Sequence, residues 1–134
     1  MKEIKRDPRI LQDDLYISER NLHKYDYERK IVGYIKERRD ELKGLVHLLD
    51  ESVWYDGMEF IIYTHFHYAH SLWTNGSITK EMMVIFHDYV EYVAEAVVSV
   101  YLSHPNIYWE QLYKETQNFL IKVEHSHYNI SNSS

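Results

Sequence analysis

Residues 60–70, FIIYTHFHYAH, place three histidines within six positions, among aromatic and branched residues. Imidazoles bind transition metals and haem iron and exchange protons near neutral pH, so His65, His67 and His70 are the first candidates for chemistry. Metal ligands on one helix need a spacing of three or four residues on an inward face. Only His67 and His70 have that spacing.

Residues 58–73, which contain this motif, are predicted to form a helix. As a helix, they gather their apolar side chains and His65 into one stripe, with His70 at its edge and His67 pointing away. A β-strand is the alternative, but sixteen residues are long for a strand and ordinary for a helix. The helix therefore predicts a packed His65 and two solvated imidazoles, without a common site.

Four further segments carry apolar residues at helical spacing. The chain has only four Gly and two Pro, which favours long helices over a turn-rich β-fold. The predicted helices span residues 7–22, 26–50, 58–73, 79–103 and 107–124. They predict an all-α protein, an antiparallel helical bundle of four to five helices. We expect one domain, residues 1–128, followed by a disordered tail, residues 129–134.

The predicted loops are short and carry stop and capping signals. Asn75 and Gly76 form a left-handed stop, and either Ser77 or Thr79 is expected to cap the helix that follows. Asn106 is the predicted cap of the last helix. Short loops of this kind join neighbouring antiparallel helices.

A haemerythrin-like or ferritin-like bundle is the alternative function, because such bundles supply H-x-x-x-E and E-x-x-H pairs to two irons. Three pairs of this type occur: His47/Glu51, His87/Glu91 and Glu124/His127. The helical wheel argues against them, since it places His47 opposite its apolar face and His127 beyond the predicted last turn. The alternative metal ligands are His65, His67, His70, His87 and Glu91. A haem with His65 as its axial ligand belongs to the same alternative.

Other chemistries lack their motifs. There is no cysteine, no glycine-rich phosphate loop, no G-x-S-x-G and no H-E-x-x-H. Asp88, Glu91 and Glu95 could bind magnesium, but acids at this spacing more often form a solvated helix face. We therefore expect no enzymatic activity and no cofactor.

Charge is distributed unevenly along the chain. Residues 1–50 hold 12 Lys and Arg against 11 acids, whereas residues 51–134 hold three Lys against ten acids, a formal net charge of −7. Such a surface repels phosphate backbones and anionic lipids and favours cationic partners. The first ten residues, MKEIKRDPRI, are basic but no apolar stretch follows them, and no run is long enough to cross a membrane, so we expect neither a secretory signal nor a spanning helix. We expect a cytoplasmic protein that binds neither nucleic acid nor membrane.

Thirteen tyrosines are the unusual compositional feature. Tyrosine is enriched at protein interfaces because it combines a large apolar area with a hydroxyl group. The predicted interface residues are Tyr63, Tyr68, Glu81, Asp88, Glu91, Tyr92 and Glu95. They predict a small acidic protein that binds a partner with a basic surface patch, as an inhibitor, an immunity-type protein or a regulatory adaptor. The alternative is that these acidic residues only keep the protein soluble and form no binding surface.

Self-association is a further expectation for the fourth predicted helix, residues 79–103. Its apolar residues lie on two sides, so the helix is either central or covered by a partner. The apolar residues outside its main seam are Ile85, Tyr92, Ala96 and Leu102. They would form the contact of a homodimer.

Overall fold

The computed structural model describes the backbone of residues 19–132 and the side chains of residues 26–128. We label its four α-helices α1, Glu19–Asp50; α2, Met58–Thr74; α3, Met83–Ser103; and α4, Ile107–Asn132. A 3₁₀ turn, Lys80–Met82, precedes α3. Residues 19–132 contain no strand, so the predicted all-α bundle is confirmed and the strand alternative for residues 58–73 is wrong.

The start of α1 differs from the prediction. The helix begins at Glu19, whereas residues 26–50 were predicted. The helix predicted at 7–22 overlaps it in its last four residues, and the rest of that prediction lies outside the described residues. The chain divides into two compact units, residues 1–31 and 32–134. All side-chain contacts given below lie within the second unit.

The last helix is longer than its apolar pattern indicates. α4 was predicted to end near residue 124, but its backbone is helical as far as Asn132. It therefore enters the segment 129–134, for which we expected disorder; Ser133 and Ser134 lie outside the described residues. Neither Gly nor Pro follows Pro105, so no helix-breaking residue interrupts α4.

Backbone hydrogen bonds end α2 as the Asn75-Gly76 pair predicts. Gly76 has a left-handed φ of 75°, which glycine adopts without steric cost. The Ser77 N–H donates to the Leu72 carbonyl over 3.0 Å, and the Gly76 N–H donates to the Trp73 carbonyl over 3.3 Å. These two bonds form a Schellman motif, which satisfies carbonyl groups at the end of the helix.

One of the two predicted caps is confirmed. Asn106 Oδ1 accepts a hydrogen bond from the Trp109 N–H over 3.0 Å at the start of α4. The cap predicted at Ser77 or Thr79 is wrong. Thr79 makes no capping bond, and the Ser77 hydroxyl donates to the Asn75 side chain instead. The preceding turn therefore uses the hydroxyl that was expected to cap the helix.

α3 is the central helix of residues 32–134, because it packs against both α2 and α4. Its buried side chains are Met83, Phe86, Tyr89, Val90, Val93, Ala94, Ala96, Val97 and Val100. The expectation that Ala96 adds to an outer apolar surface is wrong, since Ala96 is completely buried. Leu102 is exposed, whereas Ile85 is only partly so. Of the four apolar residues outside the main seam, only Ala96 is therefore fully covered by the rest of the chain.

Phe119 of α4 occupies the middle of an aromatic cluster that joins α2, α3 and α4. Its ring lies 6.2 Å from the rings of Phe66 and Phe86 and 6.3 Å from that of Trp73, all in tilted or edge-on arrangements. Trp73 in turn stacks on Phe86 at 5.9 Å. Such pairs add about 0.5–1.5 kcal/mol each beyond the burial of their surface. The cluster therefore determines how closely the three helices approach.

Replacing Phe119 with alanine tests the importance of this cluster. We expect Phe119→Ala to lower the free energy of unfolding by about 3–5 kcal/mol, because it removes a buried ring and leaves a cavity. Urea unfolding followed by circular dichroism measures the change. Ile121→Ala is the matched control on the same helix, since Ile121 is 60% exposed, and we expect a change within about 0.5 kcal/mol. Equal losses in the two variants would contradict the packing described.

Candidate functional site

His65 is completely buried, and both of its ring nitrogens have polar neighbours. Nδ1 lies 2.8 Å from the Tyr89 hydroxyl. Nε2 lies 2.8 Å from Glu41 Oε1, at the distance of an ion pair but without the angles of a well-aligned hydrogen bond. Tyr89 is also completely buried, whereas Glu41 is largely exposed. We call these three residues the His65 network; they connect α1, α2 and α3.

The protonation of Tyr89 determines the direction of the hydrogen bonds. Burial raises the pKa of Tyr89 well above its usual range, so its hydroxyl keeps its proton. That hydroxyl has two acceptors within reach, His65 Nδ1 at 2.8 Å and the His65 carbonyl oxygen at 3.3 Å. The shorter contact favours Nδ1 as the acceptor, which leaves the ring proton on Nε2, facing Glu41.

Burial also keeps the imidazole neutral. It lowers the pKa of His65 below its ordinary value of 6.5; the carboxylate of Glu41 acts in the opposite direction, and the Arg38 guanidinium lowers the pKa further. The neutral ring can accept from Tyr89 and present its N–H to Glu41 at the same time. The network therefore gives a polar side chain inside an apolar core one hydrogen bond, at Nδ1, and a nearby carboxylate, at Nε2. A buried polar ring without such partners destabilises a fold.

The other two histidines of the motif have separate partners. His67 is exposed, and its Nε2 lies 2.8 Å from the Tyr63 hydroxyl one helical turn earlier. His70 is exposed and stacks on Phe66, with ring centres 5.5 Å apart. The structure thus does not bring His65, His67 and His70 together around one point, because they lie on different sides of α2. This separation agrees with the helical prediction for residues 58–73.

A different set of potential ligands meets where α3 packs on α4. His87 Nε2 lies 3.6 Å from Glu124 Oε2 and 4.0 Å from Glu91 Oε2. Each of the three residues offers one donor atom, and these atoms all lie within 4.8 Å of one another. The ring of His127 packs on that of His87, with centres 5.0 Å apart. We call His87, Glu91 and Glu124 the His87 cluster.

The outer side of α3 carries an acidic groove of about 540 Å³. Its lining residues are Asp50, Asp88, Glu91, Tyr92, Ala94, Glu95, Val98, Ser99 and Leu120. Asp88 forms an ion pair with Arg39 over 3.2 Å. Within the described side chains, neither Asp50 nor Glu95 forms an ion pair with a lysine or an arginine. The groove therefore combines unneutralised carboxylates with apolar side chains.

The predicted interface residues do not all belong to one surface. Asp88, Glu91, Tyr92 and Glu95 line the acidic groove. Tyr63 contacts His67 and the ring of Tyr108, 6.0 Å away. Tyr68 lies under the guanidinium of Arg38, which is 4.2 Å above the ring centre. Glu81 is exposed in the turn before α3. These last three positions lie outside the groove lining.

Sequence reasoning missed the partners contributed by other helices. Glu41 and Arg38 lie among the polar residues of α1. Nothing in the sequence pattern of that segment indicates that Glu41 contacts a buried histidine on another helix. The pair Glu124/His127 was set aside because the apolar pattern of the last helix ends at Val123. Its E-x-x-H spacing was the signal that could have identified it, once α4 was known to continue.

Comparisons with known proteins assign no family to this geometry. No family model matches the sequence, and no curated protein or solved structure matches it. Among the described residues, no helix combines the length and the apolar composition needed to cross a bilayer.

Removing the Tyr89 hydroxyl tests the His65 network. We expect Tyr89→Phe to lower the free energy of unfolding by about 1–3 kcal/mol, because buried His65 Nδ1 loses its hydrogen-bond donor. Chemical unfolding at pH 7.5 measures the change. Tyr92→Phe removes a hydroxyl from the same helix at a partly exposed position and should be nearly neutral. A neutral Tyr89→Phe variant would show that the hydrogen bond contributes little.

The lowered pKa of His65 predicts a pH-dependent stability. As the pH falls through 6.5, His65 binds a proton in the unfolded chain but stays neutral in the folded protein, because its pKa is lower there. The free energy of unfolding therefore decreases until the pH is below the lowered pKa. His65→Gln lacks this contribution, so its loss of stability between pH 7 and pH 5 should be smaller than that of the wild type. Exposed His67→Gln is the control and should behave as the wild type does. An NMR titration that gave His65 a pKa above 6.5 would contradict the prediction.

Proposed function

We propose that the protein is a non-enzymatic binding module whose acidic groove receives a basic, amphipathic segment of a partner protein. The observation that supports this proposal is the convergence of Asp50, Asp88, Glu91 and Glu95 around one groove. A cytoplasmic location and a role as an inhibitor, an immunity-type protein or a regulatory adaptor belong to the same proposal.

The electrostatics of the groove favour lysine and arginine. Arg39 neutralises Asp88 in part, but Asp50 and Glu95 have no such partner among the described side chains. Carboxylates collected along a groove create a negative potential that steers cationic groups towards it and accelerates association. The formal charge of −7 over residues 51–134 adds to this potential. The same field repels phosphate groups and so disfavours nucleic acids.

Apolar side chains in the lining of the groove can contribute affinity for a partner. Tyr92, Val98 and Leu120 are partly exposed there and can be covered by apolar side chains of a partner. Burial of such groups provides most of the affinity of an interface, whereas surrounding charges provide specificity and speed. The preferred occupant is therefore a helix with a short apolar stripe flanked by lysine or arginine.

Homodimerisation through this surface is less favoured. Two copies would bring like-charged grooves together, which is repulsive unless cations intervene. The apolar surface expected for a dimer is also smaller than predicted, because Ala96 is buried. A partner with a basic surface patch agrees better with the charges present.

Charge reversal within the groove tests the proposal. The probe is a short synthetic peptide with lysine and leucine at helical spacing, and the measurement is fluorescence anisotropy at several salt concentrations. We expect Asp50→Lys combined with Glu95→Lys to weaken binding roughly tenfold or more, because both substitutions place like charges beside the peptide. Binding to the wild type should also weaken as salt is added.

The matched control changes the net charge equally at positions outside the groove. Glu81→Lys combined with Glu115→Lys alters two exposed carboxylates that do not line it. We expect this variant to bind nearly as well as the wild type. Equal weakening by the two double variants would mean that net charge alone attracts the peptide, and the proposal would be wrong. Amide NMR shifts confined to Tyr92, Val98 and Leu120 and their neighbours would locate the peptide in the groove.

A further inference from the structure

We propose that His87, Glu91 and Glu124 form a binding site for a divalent transition-metal ion, with Zn²⁺ as the expected ion. This inference does not depend on the proposed binding of a basic partner. It rests on the geometry of the three side chains, on the burial of one ring nitrogen and on the chemistry of the donor atoms.

The distances suit a metal ion. Zinc binds nitrogen and oxygen donors at about 2.0–2.2 Å, so neighbouring donors in a tetrahedral site lie about 3.4 Å apart. His87 Nε2 lies 3.6 Å from Glu124 Oε2 and 4.0 Å from Glu91 Oε2. All three donor atoms lie within 4.8 Å of one another, so they would have to move closer together, by at most about 1.4 Å, to reach tetrahedral spacing around an ion. Water would occupy the fourth position.

Nε2 of His87 is a buried polar atom without a hydrogen-bond partner. Nε2 is inaccessible to solvent and makes no hydrogen bond. A buried polar atom without a partner destabilises a fold. The atom faces two carboxylate oxygens that come from different helices, Glu91 on α3 and Glu124 on α4. A cation between them would satisfy all three groups.

The surroundings leave the negative charge of the cluster uncompensated. Within residues 26–128, neither Glu91 nor Glu124 forms an ion pair with a lysine or an arginine; the ion-pair partner of both is His87. A neutral imidazole would leave two carboxylates facing each other without a cation. The rings of His127 and His87 pack edge to face, with centres 5.0 Å apart.

The donor set selects the class of metal. One imidazole nitrogen and two carboxylate oxygens suit Zn²⁺ and related transition metals, whereas Mg²⁺ and Ca²⁺ prefer sites made of oxygen alone. His87 and Glu91 are four residues apart on α3, so their side chains lie on the same face of that helix. Glu124 approaches them from α4. Direct contacts among the three side chains would use the same geometry without a metal, and the experiment below separates the two cases.

Calorimetric titration of the untagged full chain with ZnCl₂, after removal of metals by a chelator, tests the site. We expect one Zn²⁺ per chain, and we expect His87→Gln and Glu124→Gln each to weaken binding roughly tenfold or more. Circular dichroism establishes that the variants remain folded. Titration with Co²⁺ gives an independent readout, because visible absorption bands report nitrogen and oxygen coordination.

His47→Gln is the matched control. His47 and Glu51 form another pair four residues apart, 3.6 Å from each other, but both side chains are largely exposed. The control should bind Zn²⁺ as tightly as the wild type does. No binding by the wild type, equal weakening by His47→Gln, or unchanged binding by His87→Gln would each overturn the proposal. The first of these results would mean that the three side chains contact one another without a metal.

The acidic groove and the metal site share Glu91, so their tests must be kept apart. The Asp50→Lys and Glu95→Lys double variant leaves all three proposed ligands in place and should bind Zn²⁺ as the wild type does. The peptide measurements are made in the presence of a chelator. If this double variant loses peptide binding but still binds Zn²⁺, the result supports the metal site independently of the groove.

Discussion

The burial of one imidazole constrains the arrangement of α1, α2 and α3. His65 lies in the core without access to water, and a polar ring in that position destabilises the fold unless its nitrogens are satisfied. Tyr89 supplies a hydroxyl from α3, and Glu41 supplies a carboxylate from α1. Three helices must therefore adopt one mutual arrangement for the network to form. Apolar contacts alone would tolerate small rotations of each helix, whereas the directional hydrogen bond between His65 and Tyr89 does not.

α3 carries residues of both the His87 cluster and the acidic groove because it packs between α2 and α4. One side of the helix forms the core with α2 and α4, and the aromatic cluster around Phe119 sets the spacing there. The remaining polar residues recur every three to four positions, so they form a continuous stripe along the outside. That stripe begins beside His87, at the contact with α4, and continues through Glu91 to Glu95 in the acidic groove. Metal binding and partner binding, as proposed, would use neighbouring parts of the same helix face.

Local features of the fold follow from local sequence. Apolar residues at helical spacing predict α2 and α3 closely, because each helix needs one continuous face to bury. Gly76 and Asn106 lie where a helix has to stop or start, and both positions form the expected bonds. The end of α4 could not be predicted in this way. Its final turns have little apolar surface, and their helical backbone reflects the absence of a breaking residue after Pro105.

The amino-acid sequence by itself determined the all-α class, the positions of α2 and α3, and the separation of His65, His67 and His70 around one helix. These are properties of a single segment, and the rise and turn of an α-helix are enough to derive them. Only the tertiary structure decided that Glu41 reaches His65 and that Glu124 joins His87. Such pairs depend on the rotation and offset of one helix relative to another, which arise from packing across the whole core and leave no periodic signal in either segment.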